Sequence, residues 1–218
     1  HNIYLLGTTE EELDGSVWSE VIHDHKKNPG LRTFLQTQYN KGLKIPEDVI
    51  LMWTDDNYGY IRHISNEKEQ KRVGGGGVYY HISYWGRPHD YLWLCSTQPG
   101  LIWEEMAKAY ANGDRKMWIV NVGDIKPAEY DLEFFMDLAW NINSIQPNTI
   151  SKHLTNWASR EFNPSIAEDV NQVMNEYYRL AMLRKPEFMG WSQTEPTTTI
   201  KPSEFTTEEV KRRIEMYD

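Results

Sequence analysis

The sequence predicts an α/β fold followed by an all-helical region, and three observations lead to this prediction. The apolar runs 49–53, 78–84 and 117–121 are rich in β-forming residues, which is typical of strands covered on both faces of a parallel sheet. A polar loop follows each run and helical patterns lie between them, which indicates β/α units joined by right-handed crossovers. No strand-like run follows about residue 143, where helical patterns take over.

The first part of the chain alternates strand and helix patterns. Residues 2–6 form a short apolar run that predicts a strand, and the Thr/Glu capping pattern of residues 8–12 predicts a helix to about residue 24. Helical spacing returns over 31–41 and stops at Gly42. The glycines at 74–77 lack the residue order of a phosphate loop and precede a strand, so we expect a flexible or tightly packed loop there.

The later helices are predicted by periodicity and by their caps. Helical spacing covers 101–111 and ends at Asn112-Gly113. Further helices are predicted over 150–162, 166–183 and 208–217, the last with a capping box of Thr206 and Glu209, and the Thr- and Pro-rich stretch 192–202 predicts a linker. The chain therefore divides into an α/β part, 1–145, and a helical part, 146–218. About four strands fit either half of a β/α barrel or a small open sheet, and the pattern alone does not separate the two.

Composition excludes some classes of function. The 218 residues carry a net charge of −9, which argues against a general nucleic-acid binder, and no apolar run approaches the length of a membrane span. The lone Cys95 excludes an internal disulfide and a Cys-based zinc site. The 9 Trp and 13 Tyr are typical of carbohydrate sites, although aromatic residues are also ordinary core material.

Polar residues follow each predicted strand at the point where it ends. Asp55, Asp56 and Asn57 follow the run 49–53, and Asn121 ends the run 117–121, with Asp124 and Lys126 just beyond it. The carboxyl ends of parallel strands meet at one edge, where α/β folds bind ligands. For Asp55 to Gly59 the alternative is an ordinary turn, because Asp, Asn and Gly are common turn residues.

Three long motifs occur in the α/β part of the chain. They are Trp53-x-Asp55-Asp56-Asn57-x-Gly59-x-Ile61-Arg62, Gly74-Gly75-x-Gly77-Val78-Tyr79-Tyr80-His81, and Trp118-Ile119-Val120-Asn121-Val122-Gly123-Asp124-x-Lys126-Pro127. Together they resemble glycoside hydrolase family 115, which is known for α-glucuronidases that remove 4-O-methyl-glucuronic acid from xylan, and the resemblance covers about residues 31–142. Two positions depart from the family pattern. Tyr58 stands where members usually carry Trp, and Ser96-Thr97 beside Cys95 stands where Asn-Thr is usual.

The resemblance implies a fold and a setting for the chain. The expected fold is the second half of a (β/α)8 barrel, with its active site at the carboxyl-end face, followed by an all-helical bundle region. Because the family is longer and multidomain, we expect a fragment whose partner is the remainder of the parent chain. The expected substrate is glucuronoxylan or a xylo-oligosaccharide, and the expected location is secreted or periplasmic in a bacterium. A homo-oligomer is left open.

The resemblance also implies an inverting mechanism with two carboxyl groups, which lie ~6.5–9.5 Å apart in such enzymes. Asp55, Asp56, Glu104 and Asp124 are the candidates, because they come from successive loops or helix starts. Glu104 is the predicted acid, since desolvation beside Trp103 would hold its proton; the alternative is an exposed helix residue paired with Lys108. Asp124 or Asp56 is the predicted base, and the alternative for Asp124 is a helix cap.

Substrate contacts are predicted from the charge and shape of a uronic acid. Its carboxylate needs a cation or hydrogen-bond donors, and sugar rings pack on aromatic side chains. His81 lies within a strand, so a satisfied core imidazole is the alternative there. The predicted substrate-binding residues are Asn57, Arg62, His81, Tyr84, Trp85, His89, Asn121 and Lys126.

Two other classes of function compete with the hydrolase. A noncatalytic or truncated carbohydrate-binding family member would bind sugar without turnover. A metal-dependent α/β hydrolase built on Asp55, Asp56 and His63 would lose activity with a chelator. The leading hypothesis requires no metal and no cofactor.

Overall fold

The computed structural model describes residues 39, 41–42, 44–56, 58–84, 91–92, 94–188 and 205–217. The strands and helices in these ranges are β1 Leu51–Thr54, β2 Gly76–His81, α1 Pro99–Ala111, β3 Trp118–Asn121, α2 Glu129–Trp140, α3 Ile150–Glu161, α4 Ala167–Leu183 and α5 Thr207–Tyr217. Short 3-10 helices cover Glu69–Lys71, Pro147–Thr149 and Pro186–Phe188. The predicted strand 2–6, the helix to residue 24, nearly all of the helix 31–41 and the linker 192–202 lie outside the described residues.

The three described strands form a parallel sheet in the order β1-β2-β3, which confirms the predicted parallel β/α arrangement. Trp53 is in register with Val78, and His81 is in register with Asn121. The second strand ends at His81 and not at residue 84 as predicted. The sequence overestimates its length because Ile82 and Tyr84 have high β-propensity even though the ladder has ended.

The glycines before and within β2 are tightly packed. Gly76 and Gly77 belong to the strand, where a β-carbon would collide with the Asp114 carboxylate and with the Met117 carbonyl oxygen, respectively. Gly75 has a φ of +67°, which favours glycine. Of the two predicted alternatives, the structure therefore shows close packing.

One face of the sheet packs under α1 and α2. Val78 and Tyr80 are fully buried, and the Tyr80 ring stacks on Phe135 of α2 with centroids 6.1 Å apart. The ring centroid of Trp118 lies 6.0 Å from that of the same phenylalanine. Since successive strand residues point to opposite faces, Tyr79 and His81 lie on the other face of the sheet.

Helix α2 was not predicted. Its buried residues Tyr130, Phe134, Phe135 and Leu138 follow helical spacing and form the centre of the core. This core continues into the helical part of the chain, where Tyr130 lies 5.2 Å from Trp157 and 6.2 Å from Tyr178 between ring centroids. The buried packing thus crosses residue 145, and the domain division at that point stays a prediction.

Helices α3, α4 and α5 begin and end within about one residue of their predicted bounds. The predicted capping box is present at α5, where the Thr206 backbone N–H donates to Glu209 Oε2 at 2.8 Å and the Glu209 backbone N–H donates to Thr206 Oγ1 at 3.2 Å. In the described part of the chain, the helices are too short or too polar to cross a bilayer.

Candidate active site at the carboxyl ends of the strands

The structure brings together three predicted site residues where the strands end. Asp55 directly follows β1, His81 is the last residue of β2, and Asn121 is the last residue of β3. Asp55 is fully buried, and its Oδ1 lies 2.6 Å from His81 Nδ1 while its Oδ2 accepts the His81 backbone N–H at 3.1 Å. Asn121 Nδ2 donates to the Tyr79 hydroxyl at 3.0 Å on the neighbouring strand.

The Asp55 carboxylate fixes the orientation of the His81 ring. The two carboxylate oxygens contact the histidine at its ring and at its backbone, so the ring cannot rotate without losing the 2.6 Å contact at Nδ1. The other ring nitrogen, Nε2, has no hydrogen-bond partner in the described part of the chain, and the ring lies between Tyr79 and Tyr84, with centroids 4.5 and 4.6 Å away. This arrangement suits an oriented imidazole that contacts a ligand through Nε2.

Tyr84 belongs to the same cluster. It is buried and forms an isolated antiparallel bridge with Tyr91, whose ring stacks on it at 5.9 Å. The Tyr91 hydroxyl donates to the backbone carbonyl of His81 at 3.2 Å. The predicted site residues Asn57, Trp85 and His89 lie outside the described residues.

Asp56 is engaged in a turn, which is the alternative that the sequence left open. Its Oδ1 accepts the backbone N–H groups of Tyr58 and Tyr60 at 2.9 and 3.1 Å, and its Oδ2 accepts Arg62 Nε at 2.6 Å. The Arg62 side chain is two-thirds exposed. A role of Asp56 as base, or of Arg62 as uronate ligand, would compete with these contacts.

The prediction that Glu104 is shielded from water is wrong. Glu104 is exposed on the outer face of α1, because the inner face is formed by Ile102, Glu105, Met106 and Ala109 at helical spacing. Glu105 is the buried carboxylate, and the sequence analysis missed it. It accepts the Ile61 backbone N–H at 2.6 Å and pairs with Lys108 at 2.6 Å, so Lys108 is not the partner of Glu104.

Asp124 and Lys126 lie in the exposed loop between β3 and α2, beside a shallow surface groove. Asp124 does not cap α2, since Ala128 is at the N-cap position, so the cap alternative is wrong. Lys126 Nζ donates to Glu129 Oε1 at 2.6 Å, and its side chain is 91% exposed. Both residues are placed beyond the carboxyl end of β3, as the sequence predicted.

The structure does not bring together Asp55, Asp56 and His63, the ligands of the metal-dependent alternative. His63 Nε2 lies 3.4 Å from Glu69, and its ring packs 4.0 Å from Trp53, while Asp55 pairs with His81. Within the described ranges, the group of His and carboxylate ligands whose atoms lie within 4.8 Å of one another is on α2 and α3 instead. It consists of Glu133, Asp137 and His153.

Two buried ionisable residues, Asp131 and Lys185, were also missed. Asp131 of α2 is fully buried, and burial raises its pKa to about 7, opposed by hydrogen bonds that include the Tyr178 hydroxyl at 3.0 Å. Lys185, just after α4, is also buried, and burial lowers its pKa to about 8, while the charge of Asp131 opposes this shift. Their separation of 54 positions left no local signal in the sequence.

The parallel β/α sheet carries a buried Asp–His pair and polar and aromatic side chains at its carboxyl edge, which is the edge where α/β folds bind ligands. The family is shown by comparison with known sequences. The profile of Glycosyl hydrolase family 115 matches residues 31–188, and the chain belongs to this family.

A solved structure of a family GH115 4-O-methyl-alpha-glucuronidase, BtGH115A, with specificity for decorated arabinogalactans, is similar to the chain. The two share 50% sequence identity with a TM-score of 0.74, over 82% of this chain and 24% of that one. The chain thus spans about a quarter of the length of that enzyme. A comparison with curated proteins finds no match.

Proposed function

We propose that the chain forms part of the active site of an α-glucuronidase, a glycoside hydrolase that removes glucuronic acid or its 4-O-methyl ether from a polysaccharide. The observation that carries the proposal is the Asp55–His81 pair at the carboxyl edge of a parallel sheet. The pair occurs in a chain of which 82% aligns, at 50% sequence identity, with an enzyme of this activity.

The barrel and the bundle belong to the same proposal. The strands follow one another in sequence order without a reversal, and α1 and α2 contribute to the core on the Tyr80 face of the sheet. Sequential parallel strands with helices outside are typical of a β/α barrel, whereas a doubly wound sheet reverses its order and has helices on both faces. We therefore infer that the Tyr79 and His81 face is the barrel interior and that α3 to α5 belong to a helical bundle.

The proposed substrate is a polysaccharide that carries glucuronic acid side chains. The similar enzyme has specificity for decorated arabinogalactans, whereas the resemblance of the sequence motifs to the family implies xylan as the substrate. The carboxylate and hydroxyl groups of the uronic acid match the polar groups at this edge, which include the His81 imidazole and the Asn121 amide. Glucuronoxylan and glucuronic-acid-bearing arabinogalactan should therefore both be tested as substrates.

The proposed mechanism is inversion by two carboxyl groups on separate loops. Both oxygens of Asp55 contact His81, so Asp55 is proposed to orient the imidazole. Glu104 and Asp124 have no hydrogen-bond partner within the described ranges, and they are the proposed acid and base. Glu104 is exposed on α1, and Glu104→Gln tests its proposed role directly.

The test is release of uronic acid from glucuronoxylan and from glucuronic-acid-bearing arabinogalactan by the natural protein that carries this chain. We expect release from at least one polymer and its loss in Asp124→Asn. Proton magnetic resonance of the first product distinguishes inversion from retention. Binding of either polymer without release would contradict the hydrolase and favour a noncatalytic carbohydrate-binding member.

A further inference from the structure

Residues 91–97 connect the cluster around His81 to helix α1, and we call them the rim segment; residue 93 lies outside the described residues. The rim segment contacts the end of β2 at two points. Tyr91 donates its hydroxyl to the His81 carbonyl at 3.2 Å, and Thr97 Oγ1 donates to the Ile82 carbonyl at 3.5 Å. The position of the rim segment therefore affects the backbone position of His81, whose ring pairs with Asp55.

Lys185 holds the rim segment from the side of the helical region. Its Nζ donates to Thr97 Oγ1 at 3.0 Å and to Ser96 Oγ at 3.3 Å, and it lies 4.2 Å from the centroid of the Tyr91 ring. One ammonium group thus contacts both ends of the segment. The three donors of the ammonium group suffice for both hydroxyl contacts, and the Tyr91 ring attracts the cation through its face.

Glu187 makes a second connection two residues further along. Its carboxylate accepts the backbone N–H of Leu92 at 2.7 Å and that of Leu94 at 3.3 Å. Hydrogen bonds from backbone N–H groups to a carboxylate are charge-assisted and stronger than those to a neutral acceptor. The stretch after α4 therefore holds the rim segment by its backbone as well as by its side chains.

The burial of Lys185 indicates that its contacts fix the position of the rim segment more than they stabilise the fold. It is 8% exposed, and within the described part of the chain no carboxylate lies within ion-pair distance of its Nζ. A buried ammonium without a direct counter-charge is a poor source of stability compared with an apolar side chain of the same size.

We propose that Lys185 and Glu187 are positioning residues of the candidate active site, which fix the rim segment against β2 and thereby hold the His81–Asp55 pair in its geometry. The contacts run from Lys185 through Tyr91 to the His81 carbonyl, and from the Tyr91 ring through Tyr84 to the His81 ring. The consequence for turnover rests on the proposed glycosidase function. The consequence for the structure around His81 does not.

The test compares Lys185→Met, Lys185→Arg and Glu187→Ala in the natural protein that carries this chain. Lys152→Met, an exposed lysine on α3, is the matched control. Two readouts are independent of activity: hydrogen exchange of peptides covering 91–97, with peptides from α1 as internal reference, and the rate at which diethyl pyrocarbonate modifies His81, followed by mass spectrometry. The third readout is kcat and KM for uronic acid release.

We expect Lys185→Met and Glu187→Ala to raise exchange in 91–97 by about tenfold or more and to leave α1 unchanged. His81 should be modified faster in both variants. We expect kcat/KM to fall by roughly tenfold to a hundredfold, because a displacement of about 1 Å can cost about that much. Lys185→Arg should recover part of the loss, and Lys152→Met should match the unmodified protein.

Unchanged exchange in 91–97 together with unchanged His81 modification would overturn the proposal, whatever the activity. Faster exchange with full kcat/KM would also overturn it, since the rim segment would then be held without positioning the site. Absence of uronic acid release from either polymer by the unmodified protein would refute the proposed function. In that case the exchange and modification data decide the positioning role by themselves.

Discussion

The buried carboxyl group of Asp131 gives a prediction about the pH dependence of stability. Asp131 Oδ1 accepts the Tyr178 hydroxyl at 3.0 Å, while its Oδ2 has no hydrogen-bond partner in the described structure. Burial raises the pKa of Asp131 from 3.8 to about 7. The change Asp131→Asn keeps the shape of the side chain and removes its titration.

The direction of the effect follows from proton binding. Above about pH 4 the unfolded chain has lost the Asp131 proton, but the folded chain keeps it until about pH 7, so the free energy of unfolding falls as the pH rises through this window. At about 1.4 kcal/mol per pKa unit, the loss between pH 5 and pH 8 is about 2–3 kcal/mol. Lys185 adds little over this range, because its pKa of about 8 keeps it largely charged through most of the window.

The assay is urea unfolding of the protein and of Asp131→Asn at several pH values from 5 to 8. The stability of the variant relative to the unmodified protein should rise by about 2–3 kcal/mol across that range. Any constant cost of altering the Tyr178 hydrogen bond cancels in this comparison. Asp169→Asn, an exposed change on α4, should show a flat difference. A flat or falling difference for Asp131→Asn would refute the reasoning.

Three further changes test the packing around the site by urea or thermal unfolding. Glu105→Ala leaves the buried Ile61 N–H without its acceptor and should cost about 1–3 kcal/mol; unchanged stability would contradict this role. Gly77→Ala places a β-carbon against the Met117 carbonyl and should cost about 1–3 kcal/mol, so a neutral result would show that the strands separate easily. Arg62→Ala removes an exposed ion pair and should cost less than about 1 kcal/mol, and a larger loss would indicate a structural role for the arginine.

Periodicity predicted most of the described elements, because buried strands and amphipathic helices carry distinct repeats. Helix α2 was missed although Tyr130, Phe134 and Leu138 have helical spacing. Acidic residues at 129, 131 and 133 alternate with the apolar residues along the sequence, and Asp131 lies on the buried face of the helix against the usual preference of a carboxylate for water.

The sequence predicted which side chains meet at the carboxyl edge of the sheet but not the surroundings of each one. Convergence of Asp55, His81 and Asn121 follows from the parallel sheet, since the ends of its strands share one edge. Choosing Glu104 over Glu105 failed because adjacent helix residues differ by about 100° in direction, and the pattern of Ile102 and Met106 places residue 105 inward. The contacts of Lys185 depend on tertiary packing alone.

The most direct test of the central claim is the effect of Asp55→Asn on uronic acid release by the natural protein that carries this chain, with Asp169→Asn as the control. We expect kcat/KM to fall at least about a hundredfold, because the His81 ring loses the carboxylate that orients it. Thermal unfolding would confirm that the variant is folded. A folded Asp55→Asn variant with full activity would contradict an active site at this edge of the sheet.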